Sequence, residues 1–322
     1  MFPQVDVIIL SWDRVAETIA AIESAAAQTG VAKRILILDQ GSAPENLVQL
    51  RRAVAGRPEI VLQEWGRNVG VAQGRNLASA MGAAPYIVAL DNDAVFPNSR
   101  TLERVVQRLD DEPNLGAIGF RIINFFTGRD DAMCWDYPGM PPAMAEREFM
   151  ATRFIGAGHA LRREAFEEAG GYDAALFFAG EERDLGYRIL NLGYRIRYSP
   201  DFAVLHKVDP TARVNWKSGR YYYTVRNALY TDYKFGASPW LLARAAAALT
   251  LKGLRNGIAG QALRGVRDAA RMAFKFPRHA LETRVYRLNS EVRDYIQMCE
   301  HRGQEPVLAK IRRQFDRLPE RV

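Results

Sequence analysis

Three consecutive residues, Asp91-Asn92-Asp93, have the types and spacing that point most directly to chemistry. They follow residues 86–90, an apolar run of strand length. Such a run predicts a buried parallel strand, and ligands bind beyond the carboxyl ends of such strands. Two carboxylates this close repel unless a cation lies between them, and Mg²⁺ combines few protein carboxylates with phosphate oxygens. The triplet predicts a divalent cation on a phosphorylated ligand; the alternative is a polar turn, where Asp and Asn are common.

A second pair of carboxylates, Glu181 and Glu182, opens a predicted helix. The helix dipole favours ionised acids in the first turn, and an ionised carboxylate can act as a general base. Asp184 stands four residues before Arg188, a spacing that predicts a structural ion pair. His206 follows a predicted strand, and it is interpreted either as an ordinary strand-end histidine or as a metal ligand.

Alternating strands and helices must position these side chains. The predicted strands cover residues 5–10, 34–38, 59–63, 86–90, 115–120, 154–161, 195–198 and 202–205, and the predicted helices cover 15–27, 47–54, 77–80, 101–109, 163–169 and 181–192. This alternation is typical of an α/β fold with a Rossmann-like, mostly parallel sheet flanked by helices. Because several strands end in Asp or in a polar turn, we expect acidic side chains to gather at one edge of the sheet.

Two later regions differ from this pattern. Residues 124–150 are rich in Pro, Met, Trp and Tyr and are predicted to form an irregular loop, and loops this long often bind ligands or act as lids. Trp135 and Tyr137 in this loop are interpreted as sugar-stacking or as packing residues. From residue 216 onward the pattern is helical.

The charge of the chain is concentrated at its C-terminal side. Residues 234–322 contain 18 Lys and Arg against 8 Asp and Glu, a net charge of +10, whereas residues 1–233 carry −3. This asymmetry predicts an anionic partner. The basic, amphipathic helices predicted over 239–254 and 258–274 fit a solvated surface, a homo-oligomer contact or a segment lying on an anionic membrane. Nucleic acid is not expected, because no recognised binding motif accompanies the charge.

Composition places the chain among globular proteins. It has 322 residues, of which 48% are hydrophobic and 25% charged, which fits one large or two modest domains. No stretch reaches the roughly 18 apolar residues of a membrane span, and the first residues lack a signal-peptide pattern. Cys134 and Cys299 lie far apart without metal-ligand spacing, which favours free thiols in a reducing compartment. These features predict a cytoplasmic protein.

Taken in order, the motifs of residues 5–235 resemble those of family 2 glycosyltransferases with a GT-A fold, and most closely the bacterial rhamnosyl- and galactofuranosyltransferases of surface polysaccharides. The motifs are the turn after the first strand, Asp39-Gln40-Gly41-Ser42, Asn68-Val69-Gly70, Gly74-Arg75-Asn76, Asp91-Asn92-Asp93, Gly156-Ala157-Gly158, Gly170-Gly171-Tyr172-Asp173, Phe177-Phe178, Glu181-Glu182-Arg183-Asp184-Leu185, Gly193-Tyr194-Arg195 and His206. The resemblance implies a nucleotide-sugar-binding half over 1–100 and an acceptor-binding, catalytic half over 101–235. The basic helical region, 236–322, carries no family signature.

The resemblance also implies roles for single residues. Asp93 would ligate Mg²⁺ or Mn²⁺ on the donor diphosphate, and His206 would complete the metal site. Glu182 would be the catalytic base, with Glu181 as the alternative, although the family more often has Asp at this place. The residues implied to contact the nucleotide-sugar are Ser11, Asp39, Asn68, Arg75, Asp91 and Asn92.

The chemistry implied is transfer of a sugar from a UDP- or dTDP-sugar to a hydroxyl. One base and no separate nucleophile predict direct displacement with inversion. The Gln-x-x-Arg-Trp motif of processive members is missing, which favours limited addition to a surface glycan or lipid-linked acceptor at the inner face of the plasma membrane. A nucleotidyltransferase would need a glycine-rich loop after the first strand, where Ser11-Trp12-Asp13-Arg14 has no glycine. A non-catalytic nucleotide-sugar-binding protein is the third alternative.

Overall fold

A computed structural model describes residues 4–208 and 219–300 of the chain. The chain divides into two compact units. The first comprises Met1–Phe177 and Glu181–Val208, and the second comprises Phe178–Gly180 and Asp209–Val322. Those predictions that concern residues 209–218 and 301–322 lie outside the described residues.

The first unit is built on one nine-stranded sheet with the order β3-β2-β1-β4-β8-β6-β9-β5, in which β7 also pairs with β9. Its strands are β1 (Val5–Ser11), β2 (Lys33–Asp39), β3 (Ile60–Glu64), β4 (Tyr86–Leu90), β5 (Ala94–Val95), β6 (Leu115–Asn124), β7 (Phe149–Ala151), β8 (Gly158–Arg162) and β9 (Arg195–His206). Six strands run in one direction, and β5, β7 and β8 run in the other. The mostly parallel sheet of an α/β fold is confirmed.

Helices connect the strands of this unit. They are α1 (Val15–Ala26), α2 (Pro44–Val54), α3 (Gly70–Ala80), α4 (Thr101–Asp111), α5 (Arg163–Glu168) and α6 (Glu181–Asn191). All five residues of β4 are buried, as expected for a strand covered on both faces. In β1, Val7, Ile8 and Ile9 are likewise buried. The core therefore lies along the central parallel strands, and their carboxyl ends form the edge where a ligand can bind.

Two predicted strands differ from the structure. The strand predicted over 154–161 begins only at Gly158, because the preceding carbonyl groups of Ile155, Gly156 and Ala157 accept hydrogen bonds from His159, Arg75 and Asp91 instead of a strand partner. The strands predicted over 195–198 and 202–205 are one strand, β9. Its register against β6 shifts between the pairs Phe120–Ser199 and Arg121–Ala203, and Pro200 lies at this shift.

The predicted irregular loop is partly ordered. It contains a 3₁₀ turn at Pro142–Met144, and its end forms β7. Tyr137 packs against Phe149 and Tyr198 with ring centroids 5.3 and 5.1 Å apart, and Trp135 contacts the same cluster. This aromatic cluster explains how a Pro-rich segment is held against the sheet, and it supports the packing interpretation of both aromatic residues.

The described part of the second unit is helical. It contains α7 (Arg220–Lys234), α8 (Pro239–Arg255), α9 (Ala259–Lys275) and α10 (Ser290–Glu300). The helical prediction for this region is confirmed for residues 219–300. Gly253 and Gly265 allow close packing, because a Cβ at either position would lie 2.9 Å from Ala262 or Val225. Within residues 4–208 and 219–300, we find no helix with the length and apolar character needed to cross a bilayer.

Candidate functional site

The predicted acidic edge is present at the carboxyl ends of β1, β2 and β4. Ser11 ends β1 and is paired in register with Asp39, which ends β2. Asp91 follows β4, and its backbone NH donates to Ala157 O over 3.2 Å. Parallel neighbours bring residues that are distant in sequence to one line at the sheet edge.

The Asp39 loop is held by its own carboxylate. Asp39 Oδ2 accepts hydrogen bonds from the NH groups of Gly41 and Ser42 at 3.1 and 3.0 Å, and Asp39 Oδ1 accepts from Ser42 Oγ. Asn68 acts in the same way one loop further on, since its Oδ1 accepts from Gly70 NH at 2.8 Å. Both residues therefore shape loops at the edge; their contacts with a nucleotide-sugar stay predictions.

Arg75 joins the carboxylates of this edge. From α3 its guanidinium donates to Glu182 Oε1 at 2.9 Å, Asp91 Oδ1 at 3.0 Å and Gly156 O at 2.8 Å. Glu181 Oε1 lies 3.8 Å away. Burial by itself would lower the pKa of Arg75, but Tyr172 and the surrounding carboxylates raise it above its ordinary value. A buried cation thus holds together acids from β4 and α6 that lie about ninety residues apart in sequence.

Gly156 leaves the space for this arrangement. A Cβ at Gly156 would lie 2.5 Å from Glu182 Oε1 and 3.1 Å from Arg75 Nη2. Any side chain at this position would press on the ion pair. Gly156 therefore makes room for the carboxylate site, whereas Gly158 makes room for the core, since a Cβ there would lie 2.9 Å from Val204.

The two glutamates that open α6 have different surroundings. Glu181 is buried, and its Oε2 makes no hydrogen bond to the described residues. Burial, together with the neighbouring Glu182, raises the pKa of Glu181 to about 8. The Glu182 side chain is 16% exposed, against 4% for Glu181. Of the two carboxylates, Glu182 is the more exposed, and its role as the catalytic base stays a prediction.

Asp93 lies between two basic side chains. Its Oδ2 accepts from Arg14 Nη1 at 2.7 Å, and its Oδ1 is 3.2 Å from His206 Nε2. Burial would raise the pKa of Asp93, but His206 and Arg14 bring it below its ordinary value. Arg14 and the preceding Asp13 have left-handed backbones, with φ of 48° and 53°. Non-glycine residues adopt this conformation rarely, and it directs Arg14 from the end of β1 toward Asp93.

Asp91, Asp93 and His206 form a group that could hold a metal ion. One ligand atom from each lies within 4.8 Å of the others. His206 is buried at the end of β9; burial would lower its pKa, but its contacts with Asp131 and Asp93 raise it to about 12. Asn92 points elsewhere, since its Nδ2 donates to Thr18 Oγ1 at 3.2 Å. The group therefore offers two carboxylates and one imidazole to a cation.

Asp184, the third acid in the first turn of α6, has a structural contact. Asp184 and Arg188 form the predicted ion pair within α6, with Arg188 Nε 3.0 Å from Asp184 Oδ2. This interpretation is confirmed. Three residues of the site were not predicted to belong to it: Arg14, Asp131 and Cys134. The turn after β1 gave a partial signal for Arg14, whereas Asp131 and Cys134 gain meaning only beside His206.

The sequence is similar to those of known glycosyltransferases. The family model for glycosyl transferase family 2 matches residues 6–170. An uncharacterized protein of Haemophilus influenzae is 26% identical over 170 residues, covering 52% of this chain and 91% of that protein. The pre-mycofactocin glycosyltransferase of Mycobacterium tuberculosis is 25% identical over 54% of this chain and 37% of its own length. The O-antigen chain rhamnosyltransferase WbaN of Salmonella anatum is 25% identical over 61% and 63%.

Solved structures share the architecture. The mannosyltransferase PcManGT from Pyrobaculum calidifontis, in complex with GDP-Man and Mn²⁺, has a TM-score of 0.59 and 19% identity, over 92% of this chain and 84% of its own. GalNAc-T7, solved with UDP, GalNAc and Mn²⁺, has a TM-score of 0.60 and 13% identity, over 83% and 55%. At these identities the likeness shows the GT-A fold. The match of the family model over half of the sequence places this chain in glycosyl transferase family 2.

Proposed function

We propose that the chain transfers a sugar from a UDP- or dTDP-sugar to an acceptor hydroxyl with inversion, using a divalent metal. The observation that carries this proposal is the Arg75 cluster. One buried guanidinium holds Asp91, on the donor side, 3.0 Å from one nitrogen and Glu182 2.9 Å from the other. Arg75 thereby holds the donor-contacting carboxylate and the base in one relative geometry, and a direct displacement requires the donor and the acceptor hydroxyl to be aligned.

The metal would be held by Asp91, Asp93 and His206. Two carboxylates and one imidazole suit Mn²⁺, and the carboxylates suit Mg²⁺ with phosphate oxygens completing the shell. When bound, the metal neutralises charge that develops on the leaving diphosphate. Arg14 would share Asp93 with the metal, since it contacts Oδ2 at 2.7 Å.

Glu182 would take the proton of the acceptor hydroxyl. It stands in the first turn of α6, where the helix dipole favours the ionised carboxylate. Arg75 binds Glu182 Oε1, and the Glu182 side chain is 16% exposed, so that an acceptor hydroxyl can approach its carboxylate. Ser11, Asp39 and Asn68 would line the nucleotide pocket beside Asp91. No carboxylate is needed as a nucleophile, and the product would be inverted at the anomeric carbon.

We further propose a hydroxyl of a bacterial surface glycan or of a lipid-linked glycan as the acceptor, with single or limited addition. This proposal is supported by the similarity to two proteins, an O-antigen chain rhamnosyltransferase and an O-antigen biosynthesis protein. The O-antigen biosynthesis protein is 23% identical over 66% of this chain and 18% of its own length. The missing Gln-x-x-Arg-Trp motif supports limited addition.

The second unit would bind an anionic membrane surface. Trp240 and Leu254 of α8 and Leu263 and Phe274 of α9 are exposed, Phe274 to 92%. Exposed cations lie on the same two helices: Arg244, Arg255, Arg264, Arg267, Arg271 and Lys275. Apolar side chains among basic ones fit the interface of an anionic bilayer. Sedimentation with phosphatidylglycerol vesicles but not with phosphatidylcholine vesicles would support this partner; a dimer in solution without vesicle binding would replace it by a homo-oligomer contact.

The donor is tested by thermal shift with UDP-, dTDP- and GDP-sugars, each with Mn²⁺, with Mg²⁺ and with EDTA. We expect one nucleotide class to raise the melting temperature, and only with metal. The anomeric configuration of the product is then read by NMR. Retention of configuration, or full activity in EDTA, would contradict the proposed mechanism. Binding without turnover on any acceptor would favour the non-catalytic alternative.

A further inference from the structure

A second group of metal-type ligands lies behind the first and shares His206 with it. Cys134 Sγ is 3.3 Å from Asp131 Oδ2 and 3.5 Å from His206 Nδ1, and His206 Nδ1 is 3.5 Å from Asp131 Oδ2. The three atoms thus form a nearly equilateral triangle of sulfur, nitrogen and oxygen. This differs from the donor set at Asp91 and Asp93, which is dominated by oxygen.

The triangle has the dimensions of one face of a tetrahedral zinc site. Zinc binds sulfur at about 2.3 Å and nitrogen or carboxylate oxygen at about 2.0–2.1 Å. At the tetrahedral angle these lengths put the ligand atoms about 3.3–3.6 Å apart. The nitrogen–oxygen edge of 3.5 Å is longer than the usual N–H···O hydrogen bond of about 2.7–3.2 Å, and it also lies within the spacing of two ligand atoms on one zinc ion.

Local structure sets these ligands in place. Asp131 and Cys134 belong to one turn after β6, in which Cys134 NH donates to Asp131 O at 2.9 Å. Asp131 Oδ1 accepts from Met133 NH at 3.0 Å, which turns Oδ2 toward the thiol and the imidazole. Asp131 and His206 are buried, and Cys134 is half-buried beside a small cavity lined in part by Trp135. A fourth ligand, such as water, can approach from this cavity.

We propose that Asp131, Cys134 and His206 form a zinc site in this chain. Zinc would bind the Cys134 thiolate, His206 Nδ1 and Asp131 Oδ2, and both the thiol proton and the Nδ1 proton of the imidazolium would leave to solvent. A mixed sulfur, nitrogen and oxygen set selects Zn²⁺ over the harder Mg²⁺. The sequence around Cys134 shows no metal-ligand spacing because the third ligand, His206, comes from β9, some seventy residues away.

The shared histidine couples the two sites, and this consequence rests on the proposed function. His206 Nε2 faces Asp93 at 3.2 Å, whereas Nδ1 faces Cys134 and Asp131. A neutral imidazole has one lone pair, so it can ligate one metal at a time. Zinc at Nδ1 leaves a proton on Nε2, which can donate to Asp93 but cannot bind Mn²⁺. Zinc would therefore weaken Mn²⁺ binding at the donor site.

Cobalt(II) is the probe for the zinc site, because a thiolate ligand gives a cobalt charge-transfer band in the near ultraviolet. The full chain and Cys299→Ser, in which the only other cysteine is replaced, should show this band at one equivalent of Co²⁺ and lose it on adding Zn²⁺. Cys134→Ser should lose the band and bind Zn²⁺ at least about 100-fold more weakly, since even outer-shell changes cost about 10–100-fold. A band that persists in Cys134→Ser, or its absence in the unchanged chain, would overturn the proposal.

A second measurement does not depend on the variants. Zn²⁺ should slow alkylation of Cys134 by iodoacetamide, read by mass spectrometry, and Mg²⁺ should not; equal labelling with and without Zn²⁺ would contradict the site. Asp93→Asn separates this proposal from the proposed function. The variant should keep the cobalt–thiolate band while losing metal-dependent donor binding. Loss of the band in this variant would mean that no independent zinc site exists.

Discussion

Replacing Glu182 with glutamine is the most direct test of its proposed role as the catalytic base. The amide oxygen of glutamine can still accept the hydrogen bond that Arg75 donates at 2.9 Å, so the side chain should stay in place. What it loses is the ability to take a proton. The experiment therefore separates proton transfer from positioning, which a replacement by alanine would not.

The expected magnitude follows from this difference. General-base catalysis contributes about 10²–10⁴-fold, which is about 3–5 kcal/mol of transition-state stabilisation. We expect kcat of Glu182→Gln to fall by about this factor, while the dissociation constant for the nucleotide-sugar changes little. Arg75 still holds Asp91 at 3.0 Å, so the donor side should remain intact.

Glu181→Gln is the matched control. Because burial and Glu182 raise the pKa of Glu181 to about 8, its side chain is mostly protonated at neutral pH. Glutamine resembles a protonated glutamic acid in shape and charge. We therefore expect Glu181→Gln to retain activity within a few-fold of the unchanged chain, although the two residues are neighbours at the start of the same helix.

The assay measures initial rates at saturating donor, as release of nucleoside diphosphate or as product on the identified acceptor. Isothermal titration of the nucleotide-sugar with metal gives the dissociation constant for each variant. Full activity of Glu182→Gln would refute its role as the base. If Glu181→Gln lost the larger factor and Glu182→Gln did not, the base would be Glu181, and the reasoning from exposure would be wrong.

Three other perturbations follow from the same geometry. Because the pKa of Glu181 is raised to about 8, the folded state binds more protons than the unfolded state between pH 4.5 and about 8. The contribution of Glu181 to the free energy of unfolding therefore declines as pH rises through this window. Denaturant titrations should show a shallower decline with pH in Glu181→Gln, and identical slopes would contradict the raised pKa. Gly156→Ala would place a Cβ 2.5 Å from the Glu182 carboxylate and 3.1 Å from Arg75 Nη2, and we expect kcat to fall by about 100-fold; unaltered kcat would show that the pair tolerates displacement. Asp6→Ala removes the carboxylate that Arg163 Nη2 and Ala84 NH each contact at 2.8 Å in the interior, and leaves Arg163 with only the exposed Glu167, 3.4 Å from Nη1, as an acidic partner; we expect a cost of about 3–5 kcal/mol of unfolding free energy, and a loss below about 1 kcal/mol would mean that Glu167 and backbone carbonyls satisfy Arg163.

Local sequence patterns were sufficient to predict the sheet and its acidic edge. An apolar run such as 86–90 can only be buried, and a strand that ends in Asp91 must present it at the carboxyl end of a parallel sheet. The order of strands and helices determines this fold class, since parallel neighbours require helical crossovers. The prediction was wrong at residues 154–157, where carbonyl groups bind site residues and no strand forms.

Contacts between residues far apart in the chain needed the tertiary structure. Nothing in the spacing of Arg75 indicates that it lies between Asp91 and Glu182, because these contacts depend on how α3 and α6 pack against the sheet. The different exposures of Glu181 and Glu182 likewise arise from the packing of one helix face. Charge, burial and distance together decide which carboxylate is reachable and which is held neutral.

The sequence alone thus determined the fold class, the family and the acidic triplet, because these depend on local periodicity and on motifs read in order. Only the tertiary structure decided that Arg14 reaches Asp93 and that Asp131 and Cys134 meet His206. Those contacts arise where the turn after β1 and the loop after β6 converge on the end of β9. Convergence of that kind depends on the relative placement of whole elements, which no local pattern specifies.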